Sequence, residues 1–151
     1  MERNSGKFHM IDITQKNDVF REAIAVGRIR VKPETVRMIR DTRVEKGDPL
    51  SAAEIASVMA AKSTSQLIPL CHPIPVTSVT TLSKLGEDWI EVEASVKTTA
   101  KTGVEMEALV AATTYLLTIW DMVKRHEKDE MGQYPTTAIE WIRVKSKTKG
   151  A

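Results

Sequence analysis

The stretch VTSVTTLSKLGEDWIEVEASVKTT, residues 76–99, decides the architecture. Two β-rich runs, 76–85 and 89–99, flank the turn Gly86-Glu87-Asp88. In the second run Ile90, Val92, Ala94 and Val96 alternate with Glu91, Glu93 and Ser95, which is the period of two that a strand with one buried face requires. The pair therefore reads as a hairpin lying on a core, and the longest helical segment, 103 to about 125, follows it.

Upstream, residues 19–31 alternate Glu22, Arg28 and Arg30 with Ala23, Ala25, Gly27 and Ile29, which fits a strand better than a helix. Pro33 then opens a short helix through ETVRMIR, because the first helical turn tolerates proline. Asp48 is placed to cap a second helix over 50–62 with Pro49 in its first position. That helix would put Ile55, Val58 and Met59 on one side, with Ala52, Ala56 and Ala60 allowing close packing. Pro69, Pro73 and Pro75 forbid regular structure across LIPLCHPIP, so Cys71 and His72 fall on a stiff loop. A last strand is expected over 137–147. The order is strand, two helices, strand, strand, helix, strand. This predicts an α+β fold of ferredoxin-like split βαβ order, with an extra helix in the first crossover and an antiparallel sheet packed on helices.

The 151 residues are 42% hydrophobic and 28% charged, with a formal net charge of +2. They predict one catalytic-sized domain over 10–147, with loose tails at 1–9 and 148–151. Basic residues are dispersed rather than blocked, which argues against a nucleic-acid surface or a polybasic membrane anchor. The hairpin also lacks the aromatic platform of an RNA-reading sheet: Trp89 is followed by glutamates. The longest apolar run, about 109–120, is interrupted by Thr113, Thr114 and Thr118 and ends at Asp121, so no membrane span is expected. The one cysteine excludes an intramolecular disulfide and a multi-cysteine metal framework, and agrees with a reducing, cytoplasmic setting.

Four constellations bear on function, each with an ordinary structural alternative. Leu70-Cys71-His72-Pro73 is either a buried thiol beside a loop histidine, or a ligand-binding loop in which His72 makes the contact; no partner stands at metal-ligand spacing. Lys101-Thr102-Gly103 followed by Glu105, Met106 and Glu107 is either routine dipole chemistry or an anion-holding helix start. Asp121 and Lys124 form either a solvated helix pair or a carboxylate orienting a lysine for proton transfer. Lys46-Gly47-Asp48-Pro49 reads most simply as a helix-entry turn with an exposed lysine. Glu107 and Asp121 share a face of the long helix, about 40° apart in direction, but about 21 Å apart along its axis. Either the ligand is long, or one site combines opposite helix ends from two subunits.

Two blocks, KGDPLSAAEIASVMAAKSTSQLIPLCHP (46–73) and AKTGVEMEALVAATTYLLTIWDMVK (100–124), together with the opening MIDITQKNDVFREA, resemble the molybdenum cofactor biosynthesis protein C family. The resemblance covers most of the chain. It implies an enzyme, a phosphorus–oxygen lyase, that converts a cyclised dihydro-GTP derivative into cyclic pyranopterin monophosphate and pyrophosphate. It further implies a homohexamer built as a trimer of dimers, active sites at subunit interfaces, no cofactor or metal, and a functional link to the radical enzyme that makes the substrate. Carried over by position, Leu70, Cys71, His72, Met106 and Glu107 bind substrate, while Asp121, Lys124 and Lys46 carry the chemistry. Arg21 and Glu105 fall among the pocket and phosphate-facing residues, and the chemistry of pyrophosphate release calls for cations on the phosphates, a role suited to Arg21 with Lys62 and Lys101. The family's closing glycine-rich segment is replaced here by Lys145-Ser146-Lys147-Thr148-Lys149-Gly150, with Lys145 as the counterpart of its first lysine. The competing reading from another class is a ferredoxin-like module that binds a guanine nucleotide without transforming it.

Overall fold

In the computed structural model, which describes residues 8–150, four strands form one antiparallel sheet. The elements are β1 (Val19–Arg30), α1 (Pro33–Arg40), α2 (Pro49–Lys62), α3 (Thr64–Leu67), β2 (Val76–Leu85), β3 (Trp89–Ala100), α4 (Glu105–Glu127) and β4 (Ala138–Lys149). Sheet order is β2-β3-β1-β4, the split βαβ arrangement expected. The anticipated hairpin is present, with Leu85 opposite Ile90 and Val79 opposite Val96. Of the N-terminal tail, residues 1–7 lie outside the described part of the chain.

One face of the sheet carries the core. Ala23, Ala25 and Ile29 of β1 and Ile90, Val92, Ala94 and Val96 of β3 are buried against Ala108, Ala111, Ala112, Leu116, Ile119 and Val123 of α4. So many alanines bring the helix close to the sheet. Gly27 sits at the closest approach, where an added Cβ would lie 2.5 Å from Ile142 Cδ1 and 2.9 Å from Leu116 Cδ1. α4 is long and apolar enough, by length and composition, to cross a membrane; in the fold it is the core helix, wholly buried along its sheet-facing side.

Three details differ from the sequence reading. α2 turns Ala53, Ser57, Ala60 and Ala61 inward, and leaves Ile55 and Met59 about two-thirds exposed (65% and 64%). Small side chains, rather than the bulky ones, make the α2–α4 contact, because only they permit the short separation. A four-residue helical turn, α3, precedes the proline-rich loop. Strand β4 runs two residues past its expected end, with Thr148 opposite Glu22 and Lys149 opposite Arg21.

The last turn of α4 is fixed by a buried carboxylate. Glu127 is fully buried; its Oε1 accepts from Thr137 Oγ1 (2.6 Å), its Oε2 accepts from Thr35 Oγ1, and the Lys32 backbone N–H approaches both oxygens at 3.2 and 3.1 Å. An anion at a helix C-terminus is unfavourable, but here it also faces the N-terminus of α1, whose dipole and free amide offset that cost.

Candidate functional site

The structure separates the singled-out residues into two clusters at the two ends of α4. At its start, the loop after α3 brings Leu70, Cys71 and His72 beside Met106 and Glu105, and these line a cavity of about 490 Å³. The proline-restrained loop and the N-terminus of α4 are what hold this wall in place. Glu107 stands behind it: the residue is 2% exposed, Cys71 Sγ donates to its Oε2 across 3.7 Å, and its Oε1 has no partner. Burial pushes the Glu107 carboxyl above its ordinary range. Burial, then the Glu107 charge, pushes the Cys71 thiol up to about 11, so the thiol stays protonated at neutral pH and is no nucleophile there.

The N-terminal segment crosses the same cavity, with His9, Ile11, Ile13 and Lys16 along it. The Ile11 carbonyl lies 2.7 Å from His72 Nε2, and Lys101 Nζ donates to the Thr14 carbonyl at 3.2 Å. A second, smaller cavity of about 150 Å³ adjoins the first through Gly103 and Glu105 and contains Arg21 and Lys147. Arg21 is oriented by the carbonyls of Ala100 and Lys101. Partial burial raises the Glu105 carboxyl, but its own backbone amide, Lys147 and Arg21 outweigh this and hold it below the usual range. Gly103 makes room for that carboxylate, since a Cβ there would stand 2.2 Å from Glu105 Oε2.

Lys147 and Lys149 line this cavity, and Lys147 Nζ lies 3.1 Å from Glu105 Oε1. Lys145 extends over the opposite face of the sheet to Glu93, at 3.3 Å. An irregularity in β4 explains the difference: Val144 pairs with Ala25 and Ser146 with Ile24, so Lys145 is the extra residue and the side-chain alternation slips past it. Nothing in the residue pattern marks that bulge. Lys62 ends α2, exposed, and lines neither cavity.

The second cluster lies toward the C-terminal end of α4. Lys124 Nζ is 2.9 Å from Asp121 Oδ1, and Lys46 Nζ is 3.7 Å from Asp121 Oδ2 while donating to the Asp121 carbonyl at 3.1 Å. Lys46 reaches α4 from the turn before α2, where Gly47 has φ +117°, a conformation glycine adopts without the strain of a Cβ. The hydrogen bond and charge of Asp121 hold Lys124 above its ordinary range, and the same hydrogen bond, with the charges of Lys124 and Lys46, holds Asp121 below its own. Two ammonium groups on one carboxylate, all exposed, form a site with free protons to give and positive charge to present. Among the described residues no group of three or more His, Cys, Asp or Glu is arranged to hold a metal.

Comparison with known proteins places the chain in a family. The chain is 56% identical over 140 residues to a protein of Pyrococcus furiosus named probable cyclic pyranopterin monophosphate synthase, covering 93% of this chain and 90% of that one. Proteins of the same name from Aeropyrum pernix and Methanoregula boonei are 55% and 51% identical, with 93% and 97% of this chain and 97% and 95% of theirs covered. The MoaC family model matches residues 10–150, a span that includes both clusters and every strand and helix, and the chain belongs to the MoaC family.

Proposed function

We propose that this protein is a lyase of molybdenum cofactor biosynthesis that converts a cyclised dihydro-GTP derivative into cyclic pyranopterin monophosphate and pyrophosphate. The observation that carries the reading is the Lys46–Asp121–Lys124 cluster, lying within a chain that matches the family along nearly its whole length. The rearrangement opens the imidazole-derived ring and recloses it on a sugar carbon, and every step moves a proton to or from nitrogen or oxygen. Lys124, kept protonated by Asp121, supplies a proton to a leaving nitrogen or oxygen; Lys46 is the second group able to carry one. Closure of the cyclic phosphate forms a bond from a sugar hydroxyl oxygen to the α-phosphorus and breaks the bond to the β-phosphate oxygen. The hydroxyl proton passes to a basic group, and pyrophosphate departs with the bonding pair. Arg21, Lys101 and Lys147 are among the cations near the first cluster that suit phosphate oxygens.

In this reading the first cluster holds the base and phosphates and the second performs proton transfer. Their separation along α4 is too large for one small molecule to touch both within one subunit, so each site takes opposite helix ends from two subunits of a homohexamer. The exposed apolar residues of the helical layer, Ile55, Met59 and Leu117, supply surface suited to such contacts. The cytoplasm is the compartment where the nucleotide precursor and the radical enzyme upstream would meet it. Incubation with the cyclised dihydro-GTP substrate, followed by pyrophosphate assay and mass analysis, tests the reading: product and pyrophosphate in equal amounts support it. Binding without pyrophosphate would instead identify a nucleotide-binding module that performs no chemistry. Lys124→Ala is expected to bind substrate and lose turnover.

A further inference from the structure

Lys46 performs its proposed role from a loop, residues 43–48, rather than from a helix or strand. What fixes the loop therefore fixes the ammonium. Its inner anchor is Val44, 7% exposed, whose carbonyl accepts from the Gly47 N–H at 3.1 Å to close the turn. Its far end is tied by Asp48, which caps α2 through the Leu50 N–H. Val44 sits in the core cluster shared with α4, and the Lys46 ammonium reaches Asp121 itself, but a further side-chain tie is needed to hold the exposed part of the loop against α4, where Asp121 and Lys124 stand.

That tie is made by Glu45 and His126. His126 Nε2 lies 2.8 Å from Glu45 Oε2. A carboxylate only accepts, so Nε2 carries the proton of this bond, and the bond holds Glu45 below its ordinary range. The imidazole is well placed to act as a fixed post. It follows Lys124 by two residues on α4, its side chain is 22% exposed, and its neighbour Glu127 is the buried carboxylate that pins this turn to Thr35, Thr137 and the Lys32 amide. The last turn of α4 is thus clamped on its inner side by Glu127 and offers His126 on the outer side. Glu45, one residue before Lys46, takes the offered bond.

We propose that His126 is a positioning residue for Lys46, acting through Glu45 to hold the 43–48 loop against α4 so that the Lys46 ammonium meets Asp121. The inference rests on the reading of Lys46 as a proton-carrying group. A lysine on an untethered loop samples many positions, and the fraction of time in the productive one scales the chemical step rather than the affinity for substrate. Neither Glu45 nor His126 lines the cavity that would hold the nucleotide base, so their loss leaves that lining intact.

The test is steady-state kinetics of the full-length protein as His126→Ala, Glu45→Ala, the double variant and His126→Gln, with Lys46→Ala as control and melting temperature measured for each. Each single alanine variant is expected to lower kcat about 3- to 10-fold with KM unchanged. The double variant should be no worse than the poorer single one, since both remove the same tether. His126→Gln, whose amide can donate to Glu45, should recover most of the loss. Wild-type kcat in both single variants, losses that multiply in the double, or losses that follow the melting temperature would each overturn the inference. An active Lys46→Ala would overturn the underlying reading of Lys46; an inactive Lys46→Ala beside unaffected His126 and Glu45 variants would sink the tether alone.

Discussion

Cys71 Sγ donates to Glu107 Oε2 across 3.7 Å, and the other oxygen of that carboxylate is buried without a partner. A buried, half-satisfied carboxylate costs stability in the free protein, and behind the wall of a cavity its open oxygen is a place a ligand donor can complete. Because burial raises the Glu107 pKa, the protonated form is favoured by folding: the contribution is fully present below the unfolded value near 4.5 and is lost as pH rises through the higher folded value. Glu107→Gln removes the charge. Its melting temperature is therefore expected to gain on the wild type as pH is raised from 4 toward 8, while kcat/KM falls about 10- to 100-fold, on the scale of a lost hydrogen bond to a charged group. Parallel thermal melts and kinetics over that range check both.

The Cys71 thiol, pushed up to about 11, should resist alkylation. At pH 8 iodoacetamide is expected to label the native protein far more slowly than the protein unfolded in urea, and the native rate should climb steeply above pH 9. Glu107→Gln removes the neighbouring charge and should bring the onset of labelling to lower pH. Mass spectrometry of timed aliquots reads all three.

Glu127 makes a different kind of demand. With three donors converging on it, from Lys32 and Thr35 around the start of α1 and from Thr137 just before β4, Glu127→Ala orphans all of them and is expected to cost about 3 kcal/mol or more in urea unfolding. Glu127→Gln, which retains one acceptor oxygen, should cost about 1–3 kcal/mol. Because this residue touches neither cavity, KM should stay unchanged in the Gln variant at temperatures well below its melt.

How much of this was legible from residues alone follows from what kind of pattern each feature leaves. The sheet was legible because β1 and β3 bury every second residue, and Asp48-Pro49 announces a helix start in two letters. On α2 the close packing of Ala60 was legible and that of Ala53, Ser57 and Ala61 was not, because bulk does not mark the inner face: a helix pressed closely on another turns its smallest residues inward and leaves Ile55 and Met59 outside. The Lys46–Asp121–Lys124 cluster was drawn from a resemblance; the 75-residue gap between Lys46 and Asp121 leaves no local signal. Glu127 and the choice between Lys145 and Lys147 left none either, since the first depends on donors from two distant segments and the second on a bulge.

The division of α4 into two clusters yields the sharpest test of shared sites. Lys46 and Asp121 meet within one subunit, so variants at these two positions damage the same end and should not rescue each other. Glu107 and Lys124 belong to opposite ends. A chain carrying Glu107→Ala still offers an intact Lys124 cluster, and one carrying Lys124→Ala still offers an intact pocket. In oligomers re-formed from equal amounts of the two, about a quarter of two-chain sites pair an intact pocket with an intact lysine, so turnover should return to about 25% of wild type. Mixed Lys46→Ala and Asp121→Asn chains should stay inactive in the same assay. Verified mixed oligomers that show no recovery for the Glu107 and Lys124 pair would place the whole reaction within one subunit, and would require a substrate able to span α4.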